Sequence, residues 1–501
     1  MTTSAAKPAA PPAERSKALI LVVIGLAQLM VALDTSLVNL ILPWAQRDLG
    51  MSDSSRHLLA AAYMVAYGSL LPLGGRIADR VGYRRTLLVG LVGFAASSLV
   101  AGLARNTEFL VTARTVQGVF GAILAPSTLA ILTTTFTEPK ERGRAFGLYT
   151  AIVAAGSGLG MVAGGGLTEY LSWRWCLYLN VPIAVVAVVG ALIVLPDTRG
   201  HRETALDLPG AVLGGGGMVA LMYGISTAGA NGWGSSEAVT LLVGSVVLLA
   251  GFAIRQSKAT QPLLPLRLLA DRSRAGALIV IALGALGPFG LYLFLTYQLQ
   301  VIMDYSPVEA GLACVPLTVA TVISAGVISK LQPVVAPRTM IVPGLIAGAV
   351  AMVMFAQMDE NSSYPLLILP ALVLLGFTLG IVHIPATNAA LSGLHPRDAG
   401  SVSAFTFAAQ QLGGAMGTAL FNTIATTATA SYVLQHHDQA TVLADGHGFR
   451  VATMWSAGLM VFAAVVAAVL INAKATRQTL DDPPPAEDLP DIAAATPATR
   501  S

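Results

Sequence analysis

Charge is scarce in this chain. Only 11% of its 501 residues are Asp, Glu, Lys or Arg, against about 25% in an ordinary soluble domain. A soluble protein with a charged shell is thereby excluded, and no nucleic-acid partner is expected. Cysteine is nearly absent: Cys176 and Cys314 give neither a disulfide framework nor a metal-ligand spacing. No Gly-x-x-x-x-Gly-Lys-Ser/Thr phosphate loop occurs, so ATP is not the direct energy source. His-Glu-x-x-His and nucleophile-elbow sequences are missing too. An enzyme is not expected, and neither is a cofactor or a metal site. The N-terminus lacks a short apolar core followed by a small-residue cleavage site, so no removable signal peptide is expected.

What the chain has is apolar length. It is 55% hydrophobic with a mean hydropathy of +0.71. Its apolar runs of about 20 residues are each long enough to cross a bilayer as a helix. They are continuously apolar rather than alternating, which argues against a barrel. The expected fold class is therefore an all-α membrane protein. Fourteen spans are expected, at 18–43, 57–77, 86–104, 108–134, 145–168, 176–196, 207–229, 236–255, 275–301, 307–330, 338–358, 364–391, 399–426 and 450–473. Residues 1–16 and 474–501 are expected to be disordered tails, poor in apolar pattern.

Lys and Arg accumulate on the cytoplasmic side of membrane proteins. With the N-terminus inside, 23 of the 29 Lys and Arg residues fall in cytoplasmic segments. Arg47, Arg56, Arg105, Arg174 and Arg450 are external, and Arg114 lies within the fourth span. An even number of spans then puts the C-terminus inside as well. A cytoplasmic (inner) membrane location follows as an expectation, with the lipid bilayer as a partner.

Asp34 is the one acidic side chain expected at bilayer depth. An ionisable group there is costly, by about 3 kcal/mol on insertion scales, and usually faces a cavity or marks an ion path. Asp34 is therefore expected to bind and release a proton; the plainer alternative is a static structural pair. Arg114 is the second intramembrane charge. It stays protonated at any working pH and cannot carry the proton itself, but it can pair with Asp34. Other polar residues at depth that could line a cavity are Gln28, Asn39, Gln117, Gln298, His383, Asn388, Gln410 and Gln411. Each could equally tie helices together. Phe289, Phe294, Tyr297, Phe405 and Phe407 offer aromatic contact to a substrate or to lipid. His436, His437 and His447 share one external loop and are read as solvated rather than metal-binding.

The connection after the second span reads Gly74-Gly75-Arg76-Ile77-Ala78-Asp79-Arg80-Val81-Gly82-Tyr83-Arg84-Arg85. Gly75 and Gly82 permit tight turns and close approach. Asp79 can accept hydrogen bonds from a helix N-terminus or from Arg80, while Arg84 and Arg85 stay at the inner surface. The cluster is expected to act as a conformational latch between helix bundles. In the fifth span, Gly156, Gly160 and Gly164 form a close-packing stripe.

Here the sequence resembles a family. The loop from Gly75 to Arg85 is similar to the signature loop of the major facilitator superfamily, with Tyr83 at a usually basic position. Leu33-Asp34-Thr35 with Val38-Asn39 and Leu42-Pro43 resembles a motif of the fourteen-helix drug:proton antiporter branch. Arg114-Thr115-Val116-Gln117-Gly118 resembles the buried-arginine motif of proton-coupled members. Gly156, Gly160, Gly164 and Gly165 resemble the antiporter motif, with Met161 where proline is usual. Trp173-Arg174-Trp175 and Asn180-Val181-Pro182 also fit. The resemblance implies two six-helix bundles of inverted three-helix repeats, 17–196 and 275–473. Two inserted helices and their linkers would occupy 197–274, and a substrate site would lie between the bundles. It implies a proton-driven secondary active exporter of amphipathic organic compounds, with that small-molecule substrate and protons as partners. A proton-coupled uptake transporter of the same fold, and a non-transporting receptor or enzyme, are the alternatives.

Overall fold

A computed structural model describes the chain except residues 1–13, 137, 198–206, 260–261, 264–268, 333, 360–361, 393–395, 436–440 and 474–501. The expected tails 1–16 and 474–501 thus fall wholly or largely outside the described residues, as do His436 and His437. The described residues form helices: α1 (Glu14–Leu49), α2 (Asp53–Val81), α3 (Tyr83–Gly102), α4 (Thr107–Thr135), α5 (Pro139–Tyr170), α6 (Trp173–Tyr178), α7 (Asn180–Val194), α8 (Leu208–Asn231), α9 (Ser236–Lys258), α10 (Arg272–Tyr297), α11 (Pro307–Leu331), α12 (Pro337–Phe355), α13 (Leu369–Leu391), α14 (Pro396–Gln435) and α15 (Thr441–Leu470). With α6 and α7 taken as one segment, these are fourteen long helical segments. Twelve of them are long and apolar enough, among the described residues, to cross a membrane. The other two are α2 and α14, 29 and 40 residues long.

Local chemistry sets many of the helix starts. Ser52, Asn106, Asp207, Ser235 and Asp271 each accept a backbone N–H of the following first turn through a side-chain oxygen, which satisfies one orphan donor per helix. Ser306 and Glu309 form a reciprocal capping box around Pro307. Gly82 joins α2 to α3 at φ +104°, a left-handed region where a side chain would be strained. Helix α10 runs into a π-helical turn, Gln298–Ile302, and a second π turn, Tyr364–Ile368, leads into α13.

Buried apolar side chains of α1 to α7 pack together in two clusters. One is centred on Ile24, Met30, Leu91, Phe94 and Leu124, the other on Leu37, Ile41, Leu110 and Trp173. Helices α10 to α15 pack around Leu299, Met352, Phe355, Leu372 and Met460, and around Val280, Ile341, Val382 and Ala464. The two groups meet along α2–α14, α5–α11 and α1–α10. Helices α8 and α9 pack on each other, and α8 also lies against α2 and α14, where Thr423 Oγ1 donates to Ile225 O at 3.1 Å.

The α8–α9 pair is pinned at one end by Asp207. Its carboxylate accepts Arg255 Nε at 3.0 Å, Gln256 Nε2 at 2.7 Å and the Gly210 N–H at 3.1 Å. Burial raises its pKa, but the bonds from Arg255, Gln256 and Gly210 outweigh burial and hold it below the ordinary carboxylate value. A carboxylate lowered on folding stabilises above its unfolded pKa of about 4 and loses that contribution as pH falls through the folded value. Protection of the Gly210 and Ala211 amides, measured against their intrinsic exchange rates, is therefore expected to be high near neutral pH and to fall below about pH 4. In Asp207→Ala that protection should be low at both.

Candidate functional site

Helix α1 brings Asp34 to a fully buried position, and four other helices close around it. From α4, Arg114 Nη1 donates to Asp34 Oδ2 at 2.6 Å, and Gln117 Nε2, one turn further, donates to Oδ1 at 2.9 Å. From α7, Asn180 Nδ2 donates to the same Oδ1 at 2.8 Å and to Ser98 Oγ of α3 at 2.8 Å. Ser98 in turn donates to Leu177 O at 2.8 Å. Arg114 Nη1 also donates to Gln117 Oε1 at 2.6 Å, and its guanidinium lies 4.5 Å over the ring of Tyr63 from α2, a favourable cation–π placement. Asp34, Gln117, Asn180 and Ser98 are 0% exposed and Arg114 is 2%. The i, i+3 spacing of Arg114 and Gln117 on one helix face lets both reach one carboxylate.

Three polar atoms of this cluster have no hydrogen-bond partner among the described residues: Arg114 Nε, Asn180 Oδ1 and the Tyr63 hydroxyl. A buried polar group left unpaired costs about 1–3 kcal/mol, so this is where the first group of helices carries its polar strain. A second polar station lies nearby, where the Tyr149 hydroxyl of α5 donates to Gln28 Oε1 at 2.9 Å and meets Thr128 Oγ1 of α4 at 2.9 Å. Gln28 and Gln117 are therefore engaged with other helices.

The remaining polar candidates are spread through the molecule. Asn39 is half-buried on α1. Gln298 is buried in the π turn after α10, where its amide donates to Asp359 O at 3.3 Å. Asn388 is exposed at the end of α13 and donates to Gln332 Oε1. His383 and Gln410 are half-buried, and Gln411 is buried on α14 beside Gly68 of α2. Among the aromatic candidates, Phe294 packs against Phe449 at 5.7 Å between ring centres, Phe289 faces Gly414 and Phe407 packs on the Tyr67–Leu71 cluster. Phe405 and Tyr297 are half-buried.

The glycine stripe of α5 meets α1 as its spacing demands. Gly156 faces Leu29 and Ala32, Gly160 faces Leu33 O and the Ser36 Cβ, and Gly164 faces Leu37 and Leu40. A Cβ on Gly160 would sit 3.0 Å from both neighbours. Gly165 points the other way, onto the backbone of Pro307 and Val308 in α11. With Met161 rather than proline within it, α5 is one continuous helix of 32 residues.

Among the described residues, the side-chain bonds of the α2–α3 turn tie helices of one group. Asp79 Oδ1 accepts the Tyr83 hydroxyl at 3.0 Å, not a bond from Arg80, which is exposed. Arg84 Nη2 donates to Leu192 O of α7 at 2.7 Å. Arg85 forms a forked pair with Asp197, at 3.2 and 2.8 Å. The close approach in this region belongs to Gly74, whose missing Cβ would collide with the Ala122 carbonyl of α4. Gly75 has only the Pro126 Cβ near it, at 3.7 Å. Arg76 reaches the segment after α9, donating to Pro262 O at 2.8 Å.

Between the two groups, hydrogen bonds gather at the end that carries Trp44. Trp44 Nε1 donates to Gln300 Oε1 at 3.0 Å, Gln300 Nε2 to Leu40 O at 3.2 Å, and Val308 N to Glu169 Oε2 at 3.1 Å. Sequence reasoning did not single out Gln300, Glu169, Ser98, Tyr63 or Tyr149. An Asn or Gln interrupting an apolar run is a visible signal; a Ser or Tyr is not.

The family model described as Major Facilitator Superfamily matches residues 24–418. The chain is 45% identical to a puromycin resistance protein of Streptomyces alboniger over 91% of each chain. It is 34% identical to a cephamycin export protein of Amycolatopsis lactamdurans, over 83% of this chain and 87% of the relative. A bacterial homolog of the human lysosomal transporter Spinster, solved in an inward-facing and occupied conformation, superposes with a TM-score of 0.65. That match covers 91% of this chain and 97% of the other at 15% identity, and it shows the shared fold.

Proposed function

The chain belongs to the Major Facilitator Superfamily, and from that premise we propose that it is a proton-driven exporter of amphipathic drug- or antibiotic-like compounds in the cytoplasmic membrane. The observation that carries the reading is the buried Asp34–Arg114 pair in a chain this similar to a puromycin resistance protein. Asp34 takes the role of proton carrier, because Arg114 cannot release its proton and, among the described residues, no other acidic side chain shares the buried cluster. Arg114, Gln117 and Asn180 stabilise the ionised carboxylate. A proton arriving at Asp34 cancels the charge that Arg114 faces, and the two helix groups re-seat around that change.

The proposed architecture is a bundle at 17–196, a bundle at 275–473 and an insertion at 197–274, each bundle made of inverted three-helix repeats. It is supported by one apolar cluster drawn wholly from the first helix group, one drawn wholly from the α10–α15 group, and the packing of α8 and α9 on each other. With both termini cytoplasmic, Trp44, Gln300, Glu169 and Val308 shut the seam on the external side. A substrate then enters from the cytoplasm or the inner leaflet. The turn carrying Gly75, Asp79, Arg80, Gly82, Arg84 and Arg85 acts as a latch by binding α2, α3 and α7 into one body that rocks as a unit. Gly156, Gly160, Gly164 and Gly165 give α5 close seats on α1 and α11. Asn39, His383, Gln410 and Gln411 are the proposed cavity-lining polar residues. Gln28, Gln117, Gln298 and Asn388 act chiefly as ties between helices.

Cells expressing the protein are expected to accumulate less puromycin than vector controls, and a protonophore should erase the difference. Higher accumulation would turn the reading to uptake. Reconstituted protein that moves no solute under any gradient would turn it to a receptor or enzyme.

A further inference from the structure

We infer that Asn180 is the proton-state sensor of this transporter: a positioning residue whose amide turns over when Asp34 is protonated, passing the change to α3 and to the joint between α6 and α7. The inference rests on the reading that Asp34 carries the proton.

Among the described residues, the Asp34 carboxylate is met only by donors: Arg114 Nη1 on Oδ2, and Gln117 Nε2 and Asn180 Nδ2 on Oδ1. That set suits the anion. A protonated Asp34 becomes an O–H donor and needs an acceptor. The titratable or charged groups facing it are Arg114 from α4 and Tyr63 from α2; α3 and α7 present Ser98 and Asn180, and α5 presents Gly160 to the neighbouring Leu33. Arg114 can only donate. Gln117 could turn only by giving up its Oε1 bond with Arg114 at 2.6 Å.

Asn180 is placed differently. Its Oδ1 is buried and has no donor among the described residues, so turning the amide gives up the two bonds of Nδ2, moves Nδ2 to the former place of Oδ1, and breaks none at Oδ1. After the turn, Oδ1 occupies the position of Nδ2, 2.8 Å from Asp34 Oδ1 and 2.8 Å from Ser98 Oγ. It can then accept the new Asp34 O–H. Ser98, which donates to Leu177 O, can swing its hydroxyl to the same Oδ1. The Ser98–Leu177 bond links α3 to α6, two residues before the Leu179 joint that Asn180 follows. Protonation at Asp34 thus releases a tie between α3 and α6. No atoms are exchanged beyond the one proton, which goes from solvent to the Asp34 carboxylate.

The test is infrared difference spectroscopy of full-length protein in lipid, taken between alkaline and acidic pH with isotope-labelled asparagine. A carboxylic-acid C=O band that vanishes in Asp34→Asn should rise on acidification, and an asparagine amide band should shift with the same midpoint. In Asn180→Leu the carboxyl band should persist at higher frequency, because its O–H has lost an acceptor. Proton-driven transport should fall about tenfold with the substrate KM unchanged. In Asn180→Thr, whose hydroxyl both donates and accepts, the rate should recover in part. A carboxyl band that titrates while no amide band moves would overturn the sensor and leave the proton carrier standing. The absence of any Asp34-dependent band would overturn the carrier itself. Because the first comparison needs only the native chain and Asp34→Asn, it holds even if Asn180→Leu does not fold.

Discussion

Asp34→Asn is expected to abolish proton-driven export and to lower stability by about 3–5 kcal/mol, the usual cost of leaving one partner of a buried ion pair uncompensated. The asparagine can still accept one bond from Arg114, but the charge at 2% exposure loses its counter-ion, and two further donors from Gln117 and Asn180 lose part of their acceptor. Two effects are mixed in that single variant, and Asp34→Asn/Arg114→Gln separates them. With both charges gone, thermal stability should return most of the way to the native value, while coupling stays lost. Recovery of transport together with stability would reduce the pair to a structural tie. A double-mutant cycle on thermal midpoints and transport rates measures both outcomes.

The next largest effect is expected at Gly74. A Cβ there would run into the carbonyl oxygen of Ala122, and a backbone atom cannot move aside as a flexible side chain can. Gly74→Val should force α2 and α4 apart, at about 1–3 kcal/mol or more for overpacking. Because α4 carries Arg114 and Gln117, the displacement should also reach the ion pair. Gly75→Ala meets only an ordinary contact at 3.7 Å from Pro126 and should be nearly neutral. Thermal unfolding of the two variants in the same detergent checks the contrast; equal effects would contradict the proposed packing of α2 on α4.

The Gly74–Gly75 pair shows where sequence reasoning reaches its limit. Adjacent glycines on a helix point about 100° apart, and only the partner helix decides which one is pressed. The Gly156, Gly160 and Gly164 stripe was legible because three residues at i, i+4, i+8 define a face by themselves. Asp34 and Arg114 stood out because charges are so few in an apolar chain, and their meeting follows from the difficulty of leaving either alone at depth. Asn180 was less legible as a ligand of Asp34, since 146 residues separate the two and no periodicity links α1 to α7. The latch residues were legible as a cluster. Their partners were not: Arg84 and Arg85 reach the end of α7, and the Tyr83 hydroxyl takes the place expected for a basic side chain by donating to Asp79.

The central claim is that transport is driven through the carboxylate of Asp34. Purified protein in proteoliposomes holding a pH-sensitive dye measures it directly. Adding puromycin should set protons moving opposite to the compound in the native protein, and no substrate-dependent proton movement should be seen with Asp34→Asn of equal content and orientation. Substrate-driven proton flux at the native rate in Asp34→Asn would contradict the account.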